Sequence, residues 1–359
     1  MSAAEPPAVA GVLSADEVVA TARSIAREQE PTGAIPWFSG GHVDPWDHVE
    51  SAMALASAGL LAEAEAAYEW SRRTQRQDGS WPAKIVRGRV VDAAAETNFC
   101  AYLAVGVWHH VLLTGDESFA RRMWPSVRAG IDFVLRFQGE TGQIGWLGGE
   151  REALLTGCSS IHHSMRCALA LAAYVGVEQP EWELALGRLG HALRRHPEVF
   201  LDKGRYSMDW YYPVLGGAVR GEQARGRLRE RWGDFVVDGL GARCVDDRPW
   251  VTGAETCELV LSLDAIGETD RAHELFAAMQ HLREEDGSYW TGLVYTDGKR
   301  WPVERTTWTG AAVILAADAL SATTPACRIF RADDLPKGMA VDAEGCRCRG
   351  EAYATGVPG

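Results

Sequence analysis

The chain has 359 residues and a formal net charge of -13. An acidic balance of this size argues against a nucleic-acid-binding surface, which needs clustered basic residues. Polar or charged residues interrupt every stretch long enough to cross a membrane, and residues 1–14 lack the pattern of a signal peptide. We therefore expect a cytoplasmic protein without a membrane span, and the length suits one large domain.

Two kinds of helix alternate along the chain. Amphipathic segments, which have one apolar face, are predicted at residues 15–29, 61–75, 118–138, 181–195, 221–232 and 271–280. Segments that are apolar on all sides after a polar or aromatic first turn begin at Asp44, Ala94, Cys158, Met208, Gly253 and Glu304. The period of roughly fifty residues predicts an all-α fold, an (α/α)6 toroid over residues 15–322. Six inner helices would point their N-terminal ends at one shared cavity, with six outer helices around them and short Trp- and Gly-rich hairpins at the cavity mouth.

The two ends of the chain lie outside this pattern. Residues 1–14 are rich in alanine and proline and are predicted to be flexible. Residues 323–359 are turn-rich and weakly apolar. We interpret them as a C-terminal extension that wraps the surface or is partly disordered, and we assign it no function.

The chain contains eight cysteines. Cys100, Cys158, Cys167 and Cys257 fall within predicted inner helices, where a free thiol packs as a small apolar side chain. The CRC segment near the C-terminus has the wrong spacing for a zinc knuckle. The sequence therefore predicts reduced, structural cysteines, no metal site and no cofactor.

A distinctive segment follows the second amphipathic helix. Its residues QRQDGSW, at 75–81, resemble the Gln-Trp motif of squalene-hopene cyclases and related prenyltransferase-like toroids, including actinobacterial ones, and weaker copies start at Gln138 and Gln280. In that superfamily the motif ties an outer helix to the following turn, so the resemblance implies the fold. The DxDD, DDxxD and zinc-ligand segments with which those families act on isoprenoids are absent from this sequence.

A second resemblance covers residues 250–320. Their order of helix, GETDRAHELF, DGSYWTG and TTWTGAAVILAADAL is similar to the C-terminal half of glucoamylase-type six-hairpin glycosidases. This resemblance implies sugar chemistry in the cavity. The loop before the last helix, SYWTGLVY, lacks the acid that those enzymes carry there, and only Glu150 or Glu152 could stand where they carry the general acid.

Carboxylates at the start of the inner helices are the candidate catalytic groups. Glycoside hydrolysis requires one carboxyl group that stays protonated and a second that is ionised. The candidates are Glu96, Glu304, Asp47, Asp209, Glu255 and Asp44, with Glu96 and Glu304 placed first. Glu50 follows Asp44 and Asp47 at the same three-residue interval, so the three acids would share one face of their helix. The alternative is that each acid caps its helix or pairs with an arginine.

Aromatic and polar residues at the same positions are the candidate substrate-binding groups. They are Trp46, His162, His163, Trp210, Tyr211, Trp250, Arg305 and Trp308. Aromatic faces suit sugar rings and also carbocations, so they do not separate the two chemistries. The many polar groups around them favour a hydroxylated substrate.

The sequence thus predicts a carbohydrate-active toroid enzyme that performs acid/base hydrolysis, or related chemistry, on a glycoside or sugar conjugate. One alternative is an isoprenoid-acting terpene cyclase or prenyltransferase-like enzyme, whose cavity would carry few charges below the mouth. A second is a non-catalytic toroid that binds a glycan or a protein, whose acids would be paired with arginines. The expected partner is a small-molecule substrate, and the oligomeric state is left open.

Overall fold

The structure is a computed structural model that describes residues 5–341. Six inner helices form a closed ring, in which each packs against the next and the last packs against the first. They are α2 (Pro45–Ser57), α4 (Thr97–Thr114), α6 (Leu155–Val175), α8 (Ser207–Leu215), α11 (Gly253–Asp264) and α13 (Thr307–Ser321). An outer helix covers each inner one. These are α1 (Ala15–Glu28), α3 (Leu61–Thr74), α5 (Glu117–Leu135), α7 (Pro180–Arg195), α9 (Gly221–Glu230) and α12 (Thr269–Ala278). The predicted (α/α)6 toroid is confirmed.

Residue composition separates the inner from the outer helices. Every residue of α2 is buried, whereas α1 buries only Val18, Thr21, Ala22 and Ile25. The first helix is started by a capping box between Ser14 and Glu17, and α2 by Asp44 as N-cap with proline in its first turn. An acid that caps an inner helix therefore stands at the cavity end of the toroid.

Short strands line the same end, in the connections that precede α4, α11 and α13. β1 (Lys84–Val86) and β2 (Arg89–Asp92) form a hairpin. Five more strands pair antiparallel in chain order to form one sheet. They are β3 (Val236–Val237), β4 (Gly241–Arg243), β5 (Trp250–Thr252), β6 (Gly292–Val294) and β7 (Lys299–Arg300). The pairing of these strands into one sheet was not predicted, because β5 and β6 pair across an intervening helical hairpin. The short helix α10 (Trp232–Phe235) was not predicted either.

The predicted Gln-Trp motif joins an outer helix to a turn. Gln75 Nε2 donates to the carbonyls of Gly79 and Ser126, both at 2.9 Å, and Trp81 Nε1 donates to the Ser71 carbonyl. Gln138 repeats the geometry with Gly142 and Ala185, and so does Gln29 with Gly33 and Glu63, a copy that was not predicted from the sequence. The predicted copy at Gln280 is partial: its amide donates to the Phe276 carbonyl and not into the turn, while its Oε1 accepts from Tyr289 Oη at 2.7 Å and Gly287 of the turn lies against the backbone of α1.

Residues 323–341 pack against the toroid beyond the end of α13. Ile329, Phe330 and Leu335 are buried, and Arg331 forms a bidentate ion pair with Asp264 at 2.6 and 2.7 Å. Cys346 and Cys348 lie outside the described residues. Among residues 5–341, no helix combines the length and apolarity needed to cross a membrane.

Candidate active site

Three acids follow one another along one face of α2. Asp44 caps the helix, its Oδ1 accepting from the backbone N–H groups of Trp46 and Asp47 and its Oδ2 from Trp37 Nε1 at 2.6 Å. Asp47 and Glu50 follow at successive intervals of three residues, which keeps them on the same side of the helix. All three acids are buried.

Glu50 is the deeper of the two acids that follow the cap. Its Oε1 accepts hydrogen bonds from Tyr102 Oη at 2.7 Å and Trp46 Nε1 at 2.9 Å. The Trp308 indole also lies beside Glu50 and, like these two donors, lowers its pKa, although its N–H does not reach hydrogen-bond geometry. Burial raises the pKa of Glu50, while these donors oppose the rise.

A second pair of buried acids comes from α11. Glu255 lies in the first turn and Glu258 one turn later, on the same side of the helix. Glu258 is held by two phenols of α8: Tyr211 donates to Oε2 through a short hydrogen bond, and Tyr212 donates to Oε1 at 2.9 Å. Both oxygens of Glu258 therefore face a hydrogen-bond donor.

The buried acids of α2 and α11 raise one another's pKa values. Burial, Asp44 and Glu50 raise the pKa of Asp47 well above its usual range, and Glu258 adds to the rise. Burial and Glu50 raise the pKa of Glu258, which the two phenols oppose. Within the described part of the chain, neither acid forms an ion pair with arginine or lysine. Acids that crowd a buried space without a cation cannot all be ionised together, so protons remain in the cluster at neutral pH.

Aromatic rings surround these carboxyl groups. The Trp46 ring packs against Tyr102, Tyr212 and Phe99, with centroid distances of 5.4, 5.5 and 6.3 Å. Above Asp44, Trp37 lies 4.9 Å from the His42 ring and 6.2 Å from the Trp308 ring. The site thus combines an acidic floor with flat apolar walls.

The structure brings together part of the predicted set of residues. Asp44, Asp47, Glu255, Trp46, Tyr211 and Trp308 all belong to the cluster described above. Glu96 lies at its edge, where Trp146 Nε1 donates to it at 2.8 Å and Asp44 contributes to raising its pKa, after the larger effect of burial.

Other predicted residues lie elsewhere. Glu304 and Arg305 line a groove beside α1, where Arg305 Nη1 donates to Ser288 Oγ at 2.9 Å. Asp209 accepts from Thr156, and Trp210 stacks on Phe235 at 5.2 Å. Trp250 packs edge-on against Trp301 in the sheet, and His162 and His163 lie beneath the C-terminal end of α8, near Gly216 and Phe330.

Glu258 and Tyr102 were missed by the sequence analysis, and Glu50 was placed on the helix face of Asp44 and Asp47 without being named among the catalytic candidates. The available signal for Glu258 was spacing: it stands three residues after the predicted Glu255, in a helix that is otherwise largely apolar. A charged residue one turn inside a buried helix has to be used or neutralised, which is a stronger indication of function than an acid at the helix end.

Comparisons with known proteins place the fold and the family. The chain is 66% identical over 346 residues to the MMP endo-(1,4)-3-O-methyl-α-D-mannosidase of Mycolicibacterium hassiacum, covering 95% of this chain and 96% of that protein. No protein-family model matches the chain.

Solved structures agree on the fold. A glycosidase variant in complex with glucose superposes with a TM-score of 0.70 at 15% identity, covering 85% of this chain and 97% of its own. A D-mannose isomerase superposes with a TM-score of 0.64 at 9% identity, and the match covers 84% of this chain and 96% of the isomerase chain. None of these matches supports the prenyltransferase-like resemblance. At 66% identity over nearly the full length of both chains, this protein belongs to the family of the M. hassiacum endo-mannosidase and is a glycoside-hydrolase-type enzyme.

Proposed function

We propose that the protein cleaves internal bonds of a (1,4)-linked chain of 3-O-methyl-α-D-mannose, with Asp47 as general acid and Glu258 as the second carboxylate. The observation that carries the proposal is the coupled, buried pair of carboxyl groups on α2 and α11, without a neighbouring cation among the described residues. The substrate class comes from the relative that shares 66% of its residues with this chain.

Asp47 is the better proton donor because of its surroundings. Burial and the neighbouring carboxyl groups of Asp44 and Glu50 raise its pKa well above the usual range. Both oxygens of Asp44 already accept hydrogen bonds from N–H groups, so Asp47 is the member of this pair that is available as a proton donor. A carboxyl group that keeps its proton at neutral pH is what the leaving oxygen of a glycoside needs.

Glu258 is the better ionised partner. Two phenol donors, one to each oxygen, favour its negative form against the effect of burial. The acid and its partner carboxylate must flank the scissile bond, so they have to come from different sides of the cavity. Glu50 also accepts from two neutral donors, but it shares α2 with Asp47, whereas Glu258 comes from α11.

The aromatic walls fit the proposed substrate. A 3-O-methyl group replaces a hydroxyl hydrogen with apolar surface, and burial of that surface against Trp46, Trp37 or Trp308 is favourable. The two alternatives fit less well. An isoprenoid site predicts few charges below the mouth, whereas Asp47, Glu50 and Glu258 are buried there. A non-catalytic toroid predicts acids paired with arginines, a pairing that these three acids do not form within residues 5–341.

The test is an assay of the purified protein on (1,4)-linked 3-O-methylmannose oligosaccharides and on unmethylated oligomannosides of equal length, with products separated by size. We expect internal cleavage of the methylated chain. Asp47→Asn and Glu258→Gln should each lower kcat by about 10² to 10⁴, the usual share of acid/base catalysis. Glu222→Gln, an exposed change on α9, should leave kcat unchanged.

Two results would overturn the assignment. Wild-type activity in both Asp47→Asn and Glu258→Gln would remove the proposed pair. A loss of activity confined to Glu304→Gln or Glu96→Gln would indicate that the catalytic carboxylates are the two that the sequence analysis placed first. Equal cleavage of both oligosaccharides would remove the role of the methyl group while keeping the hydrolase.

A further inference from the structure

The inner ring has one short member. α8 has 9 residues and its neighbour α6 has 21, so at about 1.5 Å per residue α8 stops roughly 18 Å short of the length of α6. The short α8 leaves a gap in the ring beyond its C-terminal end, which we call the notch. The segment after α13 fills part of it, where Phe330 stacks on His163 and Arg331 binds Asp264. The remainder of the notch is a cavity of about 750 Å³.

This cavity is basic although the protein is acidic. Of its charged lining residues, five are cationic and one is acidic: Arg166, Arg194, Arg220, Arg331, Lys337 and Asp333. Asp264, which neutralises Arg331, is not among the lining residues. The remaining four cations therefore face a single carboxylate, in a chain whose net charge is -13.

Two guanidinium groups converge at the inner end of this cavity. Gly217 has φ 75°, and a Cβ placed on it would lie 2.8 Å from Arg166 Nη1 and 3.2 Å from Arg220 Nη2. The two positive charges repel each other: burial and Arg166 lower the pKa of Arg220 to about 10, and burial also lowers that of Arg166. An anion between them would relieve both effects.

The two arginines also have a structural role. Arg166 donates from Nε to the Pro336 carbonyl and from Nη2 to those of Ala332 and Leu335. Arg220 donates to the carbonyls of Val214, Val219, Phe330 and Arg331. These bonds hold the C-terminal segment in place. They leave the Nη1 group of Arg166 without a partner among the described residues, directed at Gly217.

A histidine adds an acceptor to this set. His162 is 5% exposed, and its Nδ1 lies 2.8 Å from the Gly216 carbonyl. A carbonyl oxygen can only accept, so Nδ1 carries the hydrogen and Nε2 presents a lone pair. Burial and the arginines 166, 194 and 220 lower the pKa of His162 to about 3, which keeps the ring neutral. A Cβ on Gly190 would lie 3.2 Å from His162 Nε2 and 3.0 Å from Arg194 Nη1, so these two groups also converge.

We propose that this cavity is a binding site for a phosphate group, supplied as inorganic phosphate or as a phosphate monoester. Arg166, Arg220 and Arg194 would bind the anionic oxygens, with Lys337 at the solvent-exposed opening. A protonated phosphate oxygen would donate to His162 Nε2. The combination of cations with one neutral acceptor distinguishes phosphate, which carries a hydroxyl near neutral pH, from sulfate, which has none.

The test is isothermal titration of the full chain with inorganic phosphate, glycerol 2-phosphate and sulfate at pH 7 and constant ionic strength. We expect saturable binding to one site, with sulfate weaker by about tenfold because it cannot donate to His162. Binding of inorganic phosphate alone would identify free phosphate as the ligand. Tighter binding of the monoester would identify a phosphorylated metabolite. Either result supports the site.

A charge-reversal pair separates this cavity from general electrostatic attraction. Arg194 and Lys337 are both exposed residues, so Arg194→Glu with Lys337→Glu should fold normally and weaken phosphate binding by at least about tenfold. Arg195→Glu changes the next residue of the same helix, which does not line the cavity, and should alter Kd by less than about twofold. An equal loss in Arg195→Glu, equal affinity for sulfate, or no saturation below roughly 10 mM phosphate would overturn the proposal.

Discussion

Asp47 occupies an unfavourable position for the stability of the protein. It is buried beside Asp44 and Glu50, and both acids raise its pKa. Glu50 and Glu258 share the burial, but each has two neutral donors. A neutral side chain at this position would make the protein more stable. Retention of a less stable residue is the usual sign of a conflict between function and stability.

Asp47→Asn should therefore raise the free energy of unfolding, and the gain should grow with pH. Asp47 has a raised pKa when folded and the usual value of about 4 when unfolded. Between these values the folded chain keeps a proton that the unfolded chain releases, so wild-type stability falls as pH rises through this window. Urea midpoints at pH 5 and pH 8 would measure the difference, which should be at least roughly 1 kcal/mol larger at pH 8. An equal gain at both pH values would contradict a raised pKa.

The alkaline limb of the activity profile should depend on Asp44. Its charge is among the causes that raise the pKa of Asp47, so Asp44→Asn should lower that pKa while keeping a side-chain oxygen for the helix cap. Because Asp47, the proposed general acid, must be protonated to act, the limb should move to lower pH. Profiles of kcat/KM for the two enzymes would show the shift, and an unmoved limb would indicate that another group supplies the proton.

Geometry along single helices explains which site residues could be predicted. Asp44, Asp47 and Glu255 stand in first turns, where the pattern indicates the cavity end. Glu304 does not, because α13 begins only at Thr307 and is capped by Thr306. Asp209 and Tyr211 were both predicted to line the cavity, but residues two apart on a helix point about 200° apart. Tyr211 reaches Glu258, and Asp209 turns to Thr156.

At the scale of elements, a glutamine four residues before a glycine recurs where outer helices end. Gly33, Gly79 and Gly142 have φ of 94°, 94° and 106°, and each lies against the backbone of the next outer helix. A Cβ on Gly79 would lie 2.1 Å from the Ala129 carbonyl oxygen. These turns fix the spacing between consecutive hairpins, which explains why a structural motif resembles one from enzymes of different chemistry.

Gly79→Ala should destabilise the protein more than Gly88→Ala does. Both glycines have positive φ, so each substitution costs roughly 1 to 2 kcal/mol for the left-handed backbone. A Cβ added to Gly88 would have no neighbour within 4 Å, whereas one added to Gly79 meets Ala129, and that variant should lose about 1 to 3 kcal/mol more. Chemical denaturation of the two variants would give the difference, and equal losses would show that the turn does not contact α5 as described.

For the whole molecule, the periodic pattern was enough to predict the toroid but not its exceptions. The sheet depends on pairing between segments that are separated by α11 and α12, which no local pattern reveals. Residues 323–341 are held through their backbone carbonyls, which accept from arginine side chains elsewhere in the chain. Such contacts require no periodic pattern in the segment's own sequence, so they could not be predicted from it.

Buried histidines should make the folded chain sensitive to acid. Burial lowers the pKa of His109 to about 3 and that of His48 to about 4. Below the unfolded value of about 6.5 the unfolded chain takes up protons that the folded chain refuses, so these residues reduce stability as pH falls. His109→Asn should flatten the slope by up to about 1.4 kcal/mol per pH unit between pH 6.5 and 4. Urea midpoints across this range would test it, and an unchanged slope would contradict a neutral, buried His109.

The closure of the inner ring between α13 and α2 determines when the site can exist during synthesis. Neighbouring hairpins can pack as they leave the ribosome, because their contacts are local. Asp47 leaves the ribosome early in synthesis and Glu258 late. One apolar side of α2 stays uncovered until α13 has been made. An unfinished chain therefore exposes an apolar edge of α2, and the proposed pair of acids is enclosed only after the last helix has been made.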